Sequence, residues 1–167
     1  MKANAFALAA TVLAGLCAGH AGAAVSKADQ EFFTKAASGG MFEVEAGKLA
    51  ESKGSDAGVK SFGSMLVKDH GAANDELKAL ASKKGASIPG AVPPDMQKKL
   101  DRLSGSKNFD KDFVNEVGLA DHKKDIALFE KTSKRADDAD VKAFAAKTLP
   151  TLKGHLEHAQ GIKKTVK

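Results

Sequence analysis

Apolar residues recur three and four positions apart along almost the whole chain, which is the spacing of one face of an α-helix. Val, Ile and Thr do not gather in the alternating pattern that marks a β-strand. The pattern therefore predicts an all-α protein. We expect four amphipathic helices, at about residues 27–53, 56–84, 109–134 and from Asp137 or Asp138 to about Ile162, with a shorter helical piece at 96–103.

The breakers between these helices predict how they are connected. Gly54 and Ser55 end the first helix, whereas a longer Gly- and Pro-rich segment at 85–94 lets the chain cross the molecule. The second and fourth helices open with the same D-A-x-V-K-x-F pattern, at 56–62 and 138–144. Two related hairpins joined by a long crossover are the plan of a ferritin-like four-helix bundle, and Pro150 is expected to kink the fourth helix.

Three histidines lie on the apolar seams of three different predicted helices. They are His70, His122 and His155, and two glutamates, Glu43 and Glu45, flank the seam of the remaining helix. A helix rises about 1.5 Å per residue, so the distances of these five residues from their turns differ by only a few ångströms along the bundle axis. The spacing therefore permits one cluster near the middle of the bundle.

Imidazole nitrogens and carboxylate oxygens are ligands for Zn, Mn, Fe, Cu or Ni. Asn74 lies four residues after His70 and Asp125 three residues after His122, so both are placed to hydrogen-bond a ligating imidazole. The same side chains can also pair with one another as buried polar groups without any ligand. Both interpretations stay open at this point.

The sequence argues against a di-metal redox enzyme. Ferritin-like di-iron proteins carry a Glu-x-x-His pair on two of their helices, because residues three apart share a face. Val67 and Leu152 stand three residues before His70 and His155, so neither pair is present. We therefore predict no catalytic residues, and a binding protein is favoured over an enzyme.

The first 23 residues have the pattern of a secretory signal. Lys2 precedes an apolar run at 5–18, and small residues follow at 21–24. The only cysteine, Cys17, and His20 would leave with this segment, and residues 24–167 would remain as a single domain. No later segment approaches the roughly 20 apolar residues of a transmembrane helix, so we expect an exported protein without a membrane span.

The formal charge of +5 is spread over alternating basic and acidic positions, which is typical of a solvated helix surface. The chain has no Trp or Tyr to interleave with basic residues, so nucleic-acid binding is not expected. With nucleic acid excluded, the partner we consider is an envelope protein or a second copy of the chain.

An ordered set of motifs resembles a known family. The motifs are Gly40-Met41-Phe42-Glu43-Val44-Glu45, Asp69-His70, Asp121-His122, and Leu149-Pro150-Thr151-Leu152 followed by His155-Leu156. Over nearly all of the predicted mature chain they are similar to the exported bacterial family called domain of unknown function 4142. The resemblance implies a ferritin-like bundle in the periplasm or outer envelope, whose members are often labelled outer-membrane proteins. It places the family's polar signature at the five His and Glu positions and brings no established activity.

Three hypotheses about function follow. The first is a non-enzymatic exported bundle that binds a metal ion or small ligand through the inward His and Glu residues. The second is a structural or protein-interaction module of the cell envelope or its stress response, whose histidines are polar core. The third and least favoured is a metal-dependent oxidoreductase. The first two differ in whether the three histidines converge.

Overall fold

A computed structural model describes residues 24–166, and the predicted signal segment with Cys17 and His20 lies outside the described residues. All regular structure in 24–166 is helical, which confirms the all-α prediction. The helices are α1 (Lys27–Lys53), α2 (Ala57–Lys84), α3 (Pro94–Ser104), α4 (Phe109–Phe113), α5 (His122–Arg135) and α6 (Ala139–Ile162); a π-helical segment, Val114–Asp121, joins α4 to α5. Among these helices, none combines the length and apolar character that a membrane crossing requires.

Polar residues at the predicted caps begin the long helices. The side chains of Ser26, Asp56 and Asp138 each accept a hydrogen bond from a backbone N–H of the first turn that follows. Of the two candidates for the start of α6, Asp138 is the cap and Asp137 is not. Gly85 ends α2 with a φ of 69°, a left-handed conformation that favours glycine.

The long helices pack as two hairpins. α1 lies along α2 in the first hairpin, and the α4–π–α5 stretch lies along α6 in the second. α1 and α2 approach closely at Gly47 and Gly63, where a Cβ atom on either glycine would lie 2.7 or 2.6 Å from the carbonyl oxygen of the other. The chain crosses between the hairpins through residues 85–108, and α3 in this crossover packs against α1.

Each hairpin turn is completed by a carboxylate from the other hairpin. Asp29, in the first turn of α1, accepts hydrogen bonds from the backbone N–H groups of Asp137 and Asp138 at 3.3 and 2.9 Å. Asp110, in the first turn of α4, accepts from the N–H groups of Ser55 and Asp56 at 3.0 and 2.9 Å. These crossed caps satisfy amides that precede α6 and α2 and would otherwise lack partners.

The third predicted helix is not one continuous α-helix. Its first half contains the π-helical segment, in which the backbone hydrogen bonds span five residues instead of four and the turn is wider. Gly118 lies in this segment, where a Cβ atom would be 2.7 Å from the Cβ of Ala159 on α6. The prediction of an unbroken helix was therefore wrong here. α6, in contrast, runs without interruption through Pro150.

Buried apolar side chains form two separate clusters, one around Phe62 and Phe113 and one around Phe32 and Phe144. In α2, Leu66 belongs to the first cluster and Leu77 to the second. Between the clusters lies a buried polar layer made of Glu43, His70, His122 and His155. The fold therefore places this layer inside the protein, near the middle of the long helices.

Candidate metal centre

The three histidines, which we call the histidine triad, meet inside the protein. His70 comes from α2, His122 from the first position of α5 and His155 from α6. The ring centroids are 5.3 to 5.5 Å apart in all three pairs. One ring nitrogen from each histidine lies within 4.8 Å of those of the other two. The rings therefore form a nearly equilateral group, and none of the three residues is more than 6% exposed.

Hydrogen bonds to oxygen acceptors orient two members of the triad. His122 Nδ1 lies 2.9 Å from the carbonyl oxygen of Val117, in the π-helical segment. His155 Nε2 lies 3.1 Å from Asp69 Oδ2, on the neighbouring helix α2. The other nitrogens of these two rings, His122 Nε2 and His155 Nδ1, face each other at 3.2 Å. Both rings are thus held by oxygen acceptors on their outer side.

Glu43 lies beside the triad with its carboxylate buried. Its Oε2 is 3.0 Å from His70 Nδ1 and its Oε1 is 3.2 Å from His122 Nδ1. Neither contact has the alignment of a hydrogen bond, and both Glu43 oxygens and His70 Nε2 lack a hydrogen-bond partner within the described part of the chain. Three buried polar atoms of one layer are therefore unsatisfied, which is rare and costly in a folded protein.

Burial keeps the imidazoles neutral. It lowers the pKa of His122 to about 4 and the pKa of His70 well below its usual range. Burial also lowers the pKa of His155, although its hydrogen bond to Asp69 opposes this effect. A neutral imidazole has a free nitrogen lone pair, which is the form that binds a metal ion.

The pKa values of two carboxyl groups next to the triad are shifted in the opposite direction, upwards. Burial, reinforced by the negative charges of Asp125 and Asp121, raises the pKa of Glu43 well above its usual range. Burial likewise raises the pKa of Asp125 to about 6. Both shifts favour the protonated, neutral form of these two neighbouring carboxyl groups.

Of two further residues of the predicted site, Glu45 lies away from the triad, and Asn74 lines the small cavity beside His70 and Glu43. Glu45 is half-exposed, and its Oε1 is 2.7 Å from Lys48 Nζ on the outer face of α1. Asn74 lies over Gly40, where a Cβ atom would be 2.0 Å from its Oδ1. The structure thus separates Glu45 from the triad, because α1 can turn only one of its two flanking glutamates inward. The sequence predicted Asn74 as the partner of the His70 ring, but the Nδ1 atom of His70 faces Glu43 instead.

Sequence reasoning missed two of the oxygen atoms that orient the triad. Asp69 directly precedes His70, and adjacent residues of a helix point about 100° apart, so periodicity places Asp69 off the seam. It uses that direction to reach His155 on the next helix. The carbonyl of Val117 is a backbone group in a π-helical segment, which leaves no trace in side-chain spacing. The Asp69-His70 dipeptide was the only available signal.

One side of the triad is closed by aromatic packing. The ring of Phe62 lies 6.0 Å from that of His122 and 6.1 Å from that of His155, centroid to centroid. His158, which is half-buried, stacks on the other face of Phe62 at 5.4 Å. Near His70 and Glu43 there is a cavity of about 20 Å³. A cavity of this size has room for about one water molecule.

The arrangement has the donor set of a transition-metal site. Nitrogens bound to one tetrahedral zinc ion at about 2.0–2.1 Å lie roughly 3.4 Å apart. The His122–His155 separation of 3.2 Å is already close to that value, and the 4.8 Å limit for the triad requires only small side-chain movements. Oxygen acceptors on the outer ring nitrogens are also usual for ligating histidines.

The sequence model of a family described as Domain of unknown function (DUF4142) matches residues 16–162. The chain belongs to the DUF4142 family. The resemblance drawn from the motifs is thereby confirmed. No match is found among curated proteins.

Among solved structures, this DUF4142 chain is similar to the crystal structure of a DUF305 fragment from Deinococcus radiodurans. The TM-score is 0.72 at 11% sequence identity, and the similarity covers 85% of this chain and 99% of the other. At this identity the likeness concerns the helical fold alone. The site must therefore be judged on its own geometry.

Proposed function

We propose that this DUF4142 protein binds one transition-metal ion through the imidazole nitrogens of His70, His122 and His155. The observation that carries the proposal is the convergence of three buried, neutral imidazoles next to buried polar atoms that lack partners. A metal ion accepts the lone pairs that such a layer has in excess. It therefore compensates for the cost of burying them.

The geometry favours one ring nitrogen of each histidine as a ligand. His122 Nδ1 and His155 Nε2 already face oxygen acceptors, so His122 Nε2 and His155 Nδ1 are the free pair. His70 contributes Nε2, because its Nδ1 faces Glu43. Glu43 then lies beside the ligating rings, with its carboxyl oxygens 3.0 Å from His70 Nδ1 and 3.2 Å from His122 Nδ1, and it is not itself a ligand.

The donor set also restricts the metal. Imidazole nitrogens suit Zn, Cu, Ni and Fe, whereas Mn prefers carboxylate and water oxygens. Three protein ligands leave one coordination position, and the adjoining cavity of about 20 Å³ admits a ligand no larger than water. This small space favours binding of the ion over conversion of an organic substrate.

A structural role is the second candidate, and one observation favours it. The hydrogen bonds from His155 Nε2 to Asp69 and from His122 Nδ1 to the carbonyl of Val117 already hold two of the three histidines in place. In that case the polar layer would only fix the register of the two hairpins. This interpretation leaves Glu43 and His70 Nε2 unexplained, so we prefer the metal site.

We further infer that the protein is exported to the periplasm or outer envelope and that its hairpins form a ferritin-like four-helix bundle. The signal-like pattern of residues 1–23 supports export. The pairing of α1 with α2 and of α5 with α6, joined by a long crossover, supports the bundle.

Elemental analysis of the purified protein tests the metal site. We expect about one Zn, Cu, Ni or Fe ion per chain, and X-ray absorption should show imidazole nitrogens at about 2.0–2.1 Å if the metal is zinc. His70→Gln and His155→Gln should lose the metal while their circular dichroism still shows a helical protein. His158→Gln is the matched control and should retain the metal.

Protein that is metal-free and takes up none of these ions would refute the proposal and favour the structural role. Retention of the metal by both triad variants would refute the assigned ligands. Export is tested separately, by the N-terminal residue of the protein recovered from the periplasm, which we expect to be Ala24 or Val25.

A further inference from the structure

A charged cleft leads from the surface towards the triad. It has a volume of about 230 Å³ and lies between α1, α3 and the second hairpin. Six charged or titratable residues line it, four of them acidic: Glu43, Asp95, Lys99, Asp121, Lys124 and Asp125. We call this feature the acidic cleft. Its carboxyl groups outnumber its two lysines, and carboxyl oxygens are ligands for cations and not for anions.

The inner wall of the acidic cleft is shared with the triad's own cavity. Glu43 and Asp125 line both the cleft and the 20 Å³ cavity beside His70. Glu43 is only 1% exposed, and both of its oxygens lack partners among residues 24–166. Asp125 lies against α1 at Gly39, where a Cβ atom would be 3.5 Å from Asp125 Oδ1. These two carboxyl groups therefore face both the cleft and the cavity.

A lysine from the crossover occupies the cleft. Lys99 on α3 forms an ion pair with Asp121. Its ammonium group also lies 4.9 Å from the ring centroid of Phe42, in a cation–π contact. Asp121 has a second, weaker partner in Lys124 at 3.3 Å. Lys99 thus places a positive charge where an entering metal ion would have to pass.

The opposite approach is less suitable for an ion. There the fully buried ring of Phe62 packs against His122 and His155, and His158 stacks on it. An apolar ring offers a divalent ion no ligand to replace its water, whereas the carboxylates of the acidic cleft do.

We propose that divalent metal ions enter and leave the triad through the acidic cleft, with Glu43 and Asp125 as transient oxygen ligands and Lys99 as the residue that closes the route. This inference rests on the proposed function, because it assigns the path to that same site. Its prediction differs from that of the metal site itself. A residue that closes the route changes the rates at which the metal ion binds and dissociates, and not its equilibrium affinity.

The test compares Lys99→Gln with Lys98→Gln in the full-length exported protein loaded with zinc. Lys98 is the exposed neighbour of Lys99 on α3 and does not line the cleft, so it controls for the loss of one positive charge. Zinc release into excess chromogenic chelator gives the dissociation rate, and equilibrium competition with the same chelator gives Kd. The association rate follows from the two.

We expect Lys99→Gln to raise both rates at least about fivefold and to change Kd by less than about threefold, while Lys98→Gln leaves both rates within about twofold of the parent. Asp95→Asn, at the outer rim of the cleft, should slow association. If the parent and Lys99→Gln both bind zinc with equal association and dissociation rates, the proposed route is wrong, and the proposed metal site is unaffected. A parent that binds no zinc would overturn the metal site for that ion and the route with it.

Discussion

The two hairpins contribute equally to the buried polar layer, yet they position its residues in different ways. The first hairpin supplies Glu43 and His70 from regular α-helices that approach closely at glycines. The second supplies His122 and His155, and it places His122 directly after a π-helical segment. Close packing sets the position of the polar residues in one hairpin, and an altered backbone sets it in the other.

This difference predicts that the two hairpins depend on different features of their backbone. In a regular helix each side chain's direction follows from its place in the sequence, so the first hairpin depends on the distance between α1 and α2. In the second hairpin the wider turn rotates everything after it, and it also presents the Val117 carbonyl to the His122 ring at 2.9 Å. The backbone irregularity therefore supplies part of the site itself.

The largest effect should come from filling the close approach in the first hairpin. In Gly63→Ala the new Cβ would lie 2.6 Å from the carbonyl oxygen of Gly47 and 2.8 Å from the Cβ of Ala50, so α1 and α2 must separate. We expect a loss of more than about 3 kcal/mol in the free energy of unfolding. Urea denaturation measures it.

Gly71→Ala is the control on the same helix. A Cβ atom there meets nothing within 4 Å, so the substitution should stabilise α2 by about 0.5–1 kcal/mol. Similar stabilities for the Gly63 and Gly71 variants would show that the two helices do not depend on their close contact.

A second experiment concerns the layer where the hairpins meet. In the metal-free protein the lowered pKa of His122 makes stability fall as the pH drops from about 6.5 to 4, because only the unfolded state takes up the proton. The raised pKa of Asp125 acts in the opposite direction, since the folded state keeps a proton that the unfolded state loses between about pH 4 and 6. The two effects therefore oppose each other over this pH range.

Asp125→Asn removes one of these opposing effects. At pH 7 the variant should gain about 2–3 kcal/mol over the parent, and the gain should disappear by pH 4. Urea denaturation with chelator present, at both pH values, measures this. Asp101→Asn, an exposed change on α3, is the control. A gain of the same size at both pH values would argue against a protonated carboxyl pair in the folded state.

The smallest effects should come from the crossed caps. Asp29 is 2% exposed, so Asp29→Ala leaves two part-buried N–H groups without their acceptor and should cost about 2 kcal/mol. Asp110 performs the same role for Ser55 and Asp56 nearer to solvent, so Asp110→Ala should cost only about 1 kcal/mol. Thermal unfolding of both variants measures the two losses of stability. A larger loss in Asp110→Ala than in Asp29→Ala would contradict the inference that the more buried cap stabilises the fold more.

Much of this arrangement could be predicted from helical periodicity, and the exceptions have physical causes. His70 and His155 lie on regular helices, so their spacing from apolar neighbours placed them correctly. Glu43 and Glu45 flank the same seam, and spacing alone could not select which one turns inward. The π-helical segment changes hydrogen bonds without changing the apolar pattern, so it was not predicted. Asp69 was missed because it acts on a helix other than its own.

The polar layer divides the apolar core in two, and this division affects how the molecule unfolds locally. Each cluster is a separate apolar unit, and the layer between them contributes little burial energy of its own. Amide hydrogens at the two ends of a long helix such as α2 can therefore exchange with solvent through different partial openings. An ion held by three helices at that level would join the two units, so that the molecule opens only as a whole.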